Sequence, residues 1–344
     1  MINYPLKFHP ILKEKIWGGN KLKNLLNKKS SLNNVGESWE ISGIENNISI
    51  VSNGSYSGQS LVDLIKQYKG SFLGDKIYAS FGDRFPLLIK FIDAKYDLSI
   101  QLHPTDKLAK KRHSSFGKSE LWHVVQADTD SKLIIGFNSL ITENKYIEAL
   151  TKNNITSILN YVNVKPKDSF FINSGTIHAI GSGVLLAEIQ QASDITYRVF
   201  DWNRKGLNGE ERELHTDLAL EAIDYYSEDY QKISFDIFNT PSPIVDNKYF
   251  VTNYILINRN LVRQISKDSF KIYMCIQGNG IVKINDFIES VSIGDTILIP
   301  AKNKEVIFEA MHMELLEIYI DDDKFLLQIY MFFFKTFNFV VAPN

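Results

Sequence analysis

The chain has 344 residues, a formal net charge of −2 and a single cysteine, Cys275. With Lys and Arg spread along it, no excess of basic charge points to nucleic acid or anionic lipid. One cysteine excludes an internal disulfide framework and fits a reducing compartment. Met1 to Pro10 lacks the apolar run of a signal peptide, so a soluble cytoplasmic protein is expected.

This length favours two or three domains, or one large β-rich one. The opening third reads as short apolar runs between turns. Few helices are expected there; one starts at Ser60, with Asp63 in a capping box and Leu61, Leu64 and Ile65 on the apolar side. Phe85 to Ile92 reads as a strand buried on both faces. Lys90 lies inside it and needs a partner or a polar cavity. In residues 99–103, Ser-Ile-Gln-Leu-His, side chains alternate: Leu98, Ile100 and Leu102 face one way, Ser99, Gln101 and His103 the other. Pro104 ends the pairing. His113 to Lys118 reads as a loop, and Glu120 to Gln126 as a strand with Glu120, Trp122 and Val124 on one face. Glu143 to Lys152 reads as a helix started by Thr142, followed by a short helix near Ile155 to Val162.

Val164 to His178 reads as a turn, a strand, a glycine turn and a histidine. Gly183 to Gln191 is a strand whose face of Leu186, Glu188 and Gln190 mixes apolar and polar groups. Asp194, Thr196 and Arg198 are expected on one face of the next strand. Thr216 to Asp224 reads as a short amphipathic helix, and 228–247, with Pro241 and Pro243, as a linker. From Phe250 short strands return. Val291 to Pro300 weakly repeats Val164 to Asn173, which predicts two related β-barrels. No histidine follows Pro300 as His178 follows Asn173, so the second barrel is expected to be metal-free and structural. Phe325 to Val341 carries one charge, Lys335, and nears the roughly 18-residue lower limit of a membrane span. It reads as an apolar C-terminal extension of unknown role rather than an anchor.

Gln101 and His103 offer two ligand atoms on one strand, and His178 and Glu120 complete a set that suits a metal in a β-barrel. Lys167-Asp168 and Asn173-Ser174-Gly175-Thr176-Ile177-His178 stand in a cupin pattern. More narrowly, the chain resembles the type I mannose-6-phosphate isomerases. The resemblance rests on Trp17-Gly18-Gly19, Gly36-Glu37-Ser38-Trp39-Glu40, Phe85 to Lys90, Leu98 to Pro104, Lys118-Ser119-Glu120, Gly175 to Ala179 and Ser193 to Arg198, in family order over roughly residues 1–320.

The resemblance implies a mainly β fold: two cupin (jelly-roll) barrels with a few short α-helices. It divides into a catalytic domain over 1–240, a second barrel over 241–322 and the extension over 323–344. It implies one Zn2+ per chain on Gln101, His103, Glu120 and His178. It also implies an active site drawing on Lys90, Lys118, Glu188, Asp194 and Arg198. The implied reaction interconverts mannose 6-phosphate and fructose 6-phosphate through a cis-enediol. Lys118 is a candidate acid/base or hydroxyl donor, Glu188 or Asp194 the proton carrier, and Arg198 a binder of phosphate or of the reacting oxygens. The implied partner is a small sugar phosphate, with the chain a monomer or homodimer. Trp17, Trp39 and Glu40 read as packing residues, and His9, His113, His123, His215 and His312 as non-ligands. A non-catalytic sugar-binding cupin is the alternative.

Overall fold

A computed structural model describes residues 2–226, 238–265, 268–321 and 323. The described residues fall into two compact units interleaved along the chain. One draws on Pro10–Ser49 and Pro86–Ser234, the other on Met1–His9, Ile50–Phe85 and Phe235–Asn344. Residues 1–9 and 50–85, grouped by sequence with the first 240, thus cluster with the C-terminal unit. Strands dominate, as expected, joined by short helices.

The first unit has two antiparallel sheets. In the seven-stranded sheet the order is Ser169–Ile172, Glu120–Ala127, Val184–Gln191, Leu87–Ala94, Ile11–Gly19, Val35–Ile44 and Asn47–Ile48. In the five-stranded sheet it is Tyr197–Phe200, Ile100–Leu102, His178–Ile180, Lys132–Phe137 and Leu159–Asn163. Their inner faces share one core: Ile92, Trp122, Val124, Phe170 and Leu186 pack with Leu133, Ile135 and Ile180. Alternation sends Ile134, Ala179, Ile100 and Leu102 to the outer face, against Tyr146 and Ala149 of the Glu143–Thr151 helix. Each such side chain removed from water stabilises the fold by about 1.5–3 kcal/mol before entropy is counted.

The second unit is built on a seven-stranded sheet. Leu6–Lys7, Thr296–Ile299, Lys271–Ile284, Glu305–Tyr319, Val251–Gln264 and Ser242–Asp246 follow in order, and Phe287–Ser292 pairs with Lys271–Ile284. Ile255, Tyr273, Ile297, Phe308 and Leu315 centre its apolar cluster.

The weak repeat has a physical basis. Lys167 and Gly294 both take a left-handed backbone, with φ of +76° and +89°. The next residue, Asp168 or Asp295, accepts the backbone N–H three positions back, from Lys165 at 2.8 Å or Ser292 at 3.0 Å. The neighbouring strand closes both turns alike: Lys167 N–H donates to Val124 and Gly294 N–H to Cys275, each at 2.8 Å. The return bonds, Val124 N–H to Asp168 and Cys275 N–H to Asp295, are also 2.8 Å.

Several elements differ from the sequence reading. Ser60 caps a helix as expected, accepting from the Asp63 N–H, and two short helices that the sequence reading does not place follow at Gly70–Leu73 and Asp75–Phe81. Asp106–His113 is a helix that burial hardly marks, with Ala109 its buried residue. Ile155–Ile158 is one 3₁₀ turn, and Leu159–Asn163 leaves it as a strand, because Val162 packs on the inner core. The helix at Thr216 ends at Leu220. Within the expected linker, Ser242–Asp246 is a strand; it ends the sheet order, where Pro243 is tolerated. Residues 227–237 and the extension beyond Asp323 lie outside the described residues. Among the described residues no helix is long and apolar enough to cross a membrane.

Candidate metal centre and active site

The inner face of the seven-stranded sheet carries a polar row. Its register sets Trp39 opposite Lys90, Lys90 opposite Glu188, Glu188 opposite Trp122, and Gln190 opposite Glu120. Residues directly opposed in an antiparallel ladder share a face. By the same rule, the five-stranded sheet sets Gln101 between His178 on one side and Arg198 on the other. His103 follows the Ile100–Leu102 strand, where Pro104 ends the ladder.

His103, Glu120 and His178 are buried, and one ligand atom of each lies within 4.8 Å of the others. His103 Nδ1 faces the Ile195 carbonyl at 2.9 Å, and His178 Nδ1 faces the Thr176 carbonyl at 2.8 Å. A carbonyl only accepts, so each ring carries its proton on Nδ1 and turns a bare Nε2 inward. Burial, then the Lys118 charge, lowers the His103 imidazole to about 3, and burial lowers His178 as well. Burial alone would raise the Glu120 carboxyl, but Lys118 beside it holds it well below the usual carboxylate range.

A carboxylate oxygen therefore faces an imidazole lone pair. Glu120 Oε1 lies 3.5 Å from His178 Nε2, and neither atom has a hydrogen-bond partner among the described residues. Two buried acceptors turned on each other repel, and a bound cation relieves both. Lys118 serves the other side: its Nζ donates to Glu120 Oε2 and His103 Nε2, each at 2.7 Å. Two imidazoles and a carboxylate make a donor group that could hold a metal ion; Gln101 stands opposite His178 in the ladder, its Oε1 accepting from the Ser99 hydroxyl at 3.3 Å.

Lys90 has its partners. Its Nζ donates to Glu188 Oε1 at 2.9 Å and Gln190 Oε1 at 2.8 Å, and it sits 5.2 Å from the Trp39 ring centre. Burial would lower its pKa, but Glu188 and then Glu37 outweigh this and raise it, so Lys90 stays charged. The Trp122 indole N–H donates to Glu188 Oε2 at 3.0 Å, and its ring meets His178 edge-on at 5.3 Å. Arg198 is half-buried; its Nη1 donates to the Glu213 carbonyl at 2.8 Å, and its Nε–H is buried without an acceptor among the described residues.

Asp194 departs from the expectation. The strand begins only at Tyr197, so Asp194 lies before it and is exposed. Among the described residues no hydrogen bond or ion pair joins it to Arg198 or to the buried group. Trp17 is core. Its motif glycines are forced by crowding, since a Cβ at Gly18 would strike the Asn34 carbonyl and one at Gly19 the Asp93 carboxylate. Glu40 turns away from Trp39 and pairs with Lys28 at 2.7 Å. His123 faces Ser169, His113 the Tyr197 hydroxyl and His312 Glu314.

Sequence reasoning passed over Glu37, although alternation along its strand puts it on the face of Trp39. It accepts the Trp39 indole N–H at 2.6 Å and pairs with Lys15 at 2.9 Å. Burial opposes its ionisation, yet Lys90 and Lys15 hold it at about 2.

Residues 6–153 match the family profile described as "Phosphomannose isomerase type I, catalytic domain". The chain is 33% identical over 308 residues to mannose-6-phosphate isomerase ManA of Bacillus subtilis, covering 87% of this chain and 94% of that protein. It is 35% identical over 219 residues to the Streptococcus mutans mannose-6-phosphate isomerase, covering 64% of this chain and 67% of that one. The crystal structure of the mannose 6-phosphate isomerase from Bacillus subtilis superposes with a TM-score of 0.81 at 29% identity, over 92% of this chain and 99% of that one. A variant phosphomannose isomerase from Salmonella typhimurium shares the fold at 15% identity, with a TM-score of 0.70 over 92% and 99% of the two chains. Identity over nearly the whole of a curated relative, together with the profile match, makes this chain a member of the type I phosphomannose isomerase family.

Proposed function

We propose that the protein is a zinc-dependent aldose–ketose isomerase that interconverts mannose 6-phosphate and fructose 6-phosphate through a cis-enediol. The observation that carries this reading is the buried pair of unpartnered acceptors, Glu120 Oε1 and His178 Nε2, 3.5 Å apart beside a third ligand candidate, His103. With Gln101 they form a nitrogen and oxygen set suited to zinc rather than to the all-oxygen shells of calcium or magnesium. A zinc ion there supplies Lewis-acid stabilisation of negative charge developing on the sugar oxygens at C1 and C2.

The side chains divide the remaining tasks. Glu188 is the favoured carrier of the proton between C2 and C1, a role worth about 10²–10⁴-fold. Its carboxylate is aimed by Lys90 and by the Trp122 indole. Asp194, exposed before its strand, is the less favoured carrier. Lys118 donates to a sugar hydroxyl, and charged Lys90 offsets enediolate charge. Arg198, with a free Nε–H, takes an anionic oxygen of the substrate.

His178→Ala tests the reading. Metal content by elemental analysis and turnover in a coupled fructose 6-phosphate assay should both fall by orders of magnitude. A zinc-replete, fully active variant would refute the ligand assignment. Stoichiometric zinc without turnover in the wild type would leave a sugar-binding protein.

A further inference from the structure

Arg198 lies on Tyr197–Phe200, an edge strand, so one side of it has no strand partner. Residues 213–215 take that side. The His215 N–H donates to the Arg198 carbonyl at 2.7 Å, the Arg198 N–H reaches His215 Nδ1 at 3.3 Å, and Arg198 Nη1 donates to the Glu213 carbonyl at 2.8 Å. The His215 ring also stacks on Tyr197, centre to centre at 6.3 Å.

The segment that delivers these atoms is tied at its base by a single carboxylate. Asp201, directly after the strand, is only 6% exposed. It accepts Arg212 Nε at 2.6 Å and Nη2 at 2.5 Å, and Arg204 Nε at 3.2 Å and Nη2 at 3.0 Å. The tie thus joins the strand end to the residue just before Glu213. Inside it, Lys205 bridges to Glu211, and the Gly206 N–H donates to the Glu210 carbonyl at 2.7 Å. Charge matters as well as shape. Burial and then the Arg212 charge weaken the hold of Arg198 on its proton, and Asp201 opposes them.

We propose that Asp201 is a positioning residue for Arg198: by pinning Arg212 and Arg204 it holds the 201–215 loop on the edge strand, so that Glu213 and His215 aim the guanidinium at an anionic oxygen of the substrate. This rests on the role given to Arg198 above. Paired to Asp201, Arg204 and Arg212 are compensated, whereas the Arg198 guanidinium has, among the described residues, only a backbone acceptor.

A double-mutant cycle on the zinc-loaded enzyme with mannose 6-phosphate tests it. Asp201→Asn keeps the shape and removes the charge. It should lower kcat/KM by about tenfold, through whichever of kcat and KM Arg198→Ala moves. In the Arg198→Ala background the same change should cost less than about twofold, because the two residues act as one unit. Arg212→Gln breaks the same tie from the other side and should give the same non-additivity, so it decides the matter if Asp201→Asn does not fold. An equal loss in both backgrounds, or no loss in the wild type, overturns the inference while leaving Arg198 in the site. Wild-type activity of Arg198→Ala overturns the reading of Arg198 and the inference with it.

Discussion

Glu120 and Glu317 occupy the same kind of place, one in each unit: both sit on a strand, screened from solvent. Their surroundings differ in one respect. Glu317 is saturated: Oε1 accepts from Arg263 and from the Tyr273 hydroxyl at 2.9 Å, and Oε2 accepts from Asn253 at 2.8 Å and again from Arg263 at 2.9 Å. Glu120 has Lys118 on Oε2 and nothing on Oε1, which faces a bare imidazole nitrogen. A buried polar group left unsatisfied costs about 1–3 kcal/mol, more if charged. A fold that tolerates this at Glu120 while closing every bond at Glu317 leaves one carboxylate able to take a ligand and uses the other for its own packing.

Changing each carboxylate is the most direct way to break that contrast. Glu120→Gln should abolish stoichiometric metal and lower turnover on the order of a thousandfold or more, since ligand and electrostatic stabiliser go together. The thermal midpoint of the metal-free protein should fall less than in Glu317→Gln, because relief of the Oε1–Nε2 clash offsets part of the lost Lys118 pairing. A variant that unfolds but still binds metal when folded would reverse the assignment. Glu317→Gln should do the opposite. Removing one partner of a buried ion pair costs about 3–5 kcal/mol, read as a lower unfolding midpoint, while metal content and turnover per folded molecule hold. Chelation should come next in size: a metal present at about 100 times its Kd stabilises by about 2.7 kcal/mol. The midpoint should drop with chelator, recover with zinc and be indifferent to both in Glu120→Gln.

A third carboxylate sharpens the comparison through pH. Glu37, with a side chain 12% exposed, is held at about 2 against an ordinary 4.5. A carboxyl depressed by folding adds stability that is fully present above about 4.5 and is lost as pH falls toward 2. The stability gap between wild type and Glu37→Gln should therefore narrow on acidification; a constant gap down to pH about 3 would remove Glu37 from the acid response. The smallest effect is expected at Lys167, which holds a left-handed φ of +76° where the matching turn has Gly294. Lys167→Gly should stabilise by no more than about 1 kcal/mol, relief of Cβ strain being partly offset by chain entropy. A clear loss would show that the lysine side chain matters more than its backbone.

What could be read in advance follows periodicity. The alternation around Glu120 faced Glu120 and Trp122 together, as the ladders have them, while of Gln101 and His103 only Gln101 lies in a ladder, opposite His178. The family motifs supplied the rest of the buried group. Features without a period were not legible. The Asp106–His113 helix buries one alanine, so it carries no apolar stripe. The 155–163 stretch has the composition of either element, and packing of Val162 decided for a strand. Asp194 sits three positions before the strand it was assigned to. The Asp201 tie spans eleven residues of polar loop, and only the folded loop brings its arginines to one carboxylate.

The twin turns at Asp168 and Asp295 have a consequence for mutational latitude. The bonds that the two corners share are made by main-chain atoms and the aspartate carboxylate; at Asp295 that carboxylate also takes the Lys7 ammonium at 3.1 Å. The shared main-chain bonds accept different neighbours: Pro166 and Lys167 stand where Ile293 and Gly294 do, and the strands beyond differ in sequence. Such a joint lets one half of a molecule lose its chemistry, or gain it, without redrawing the scaffold.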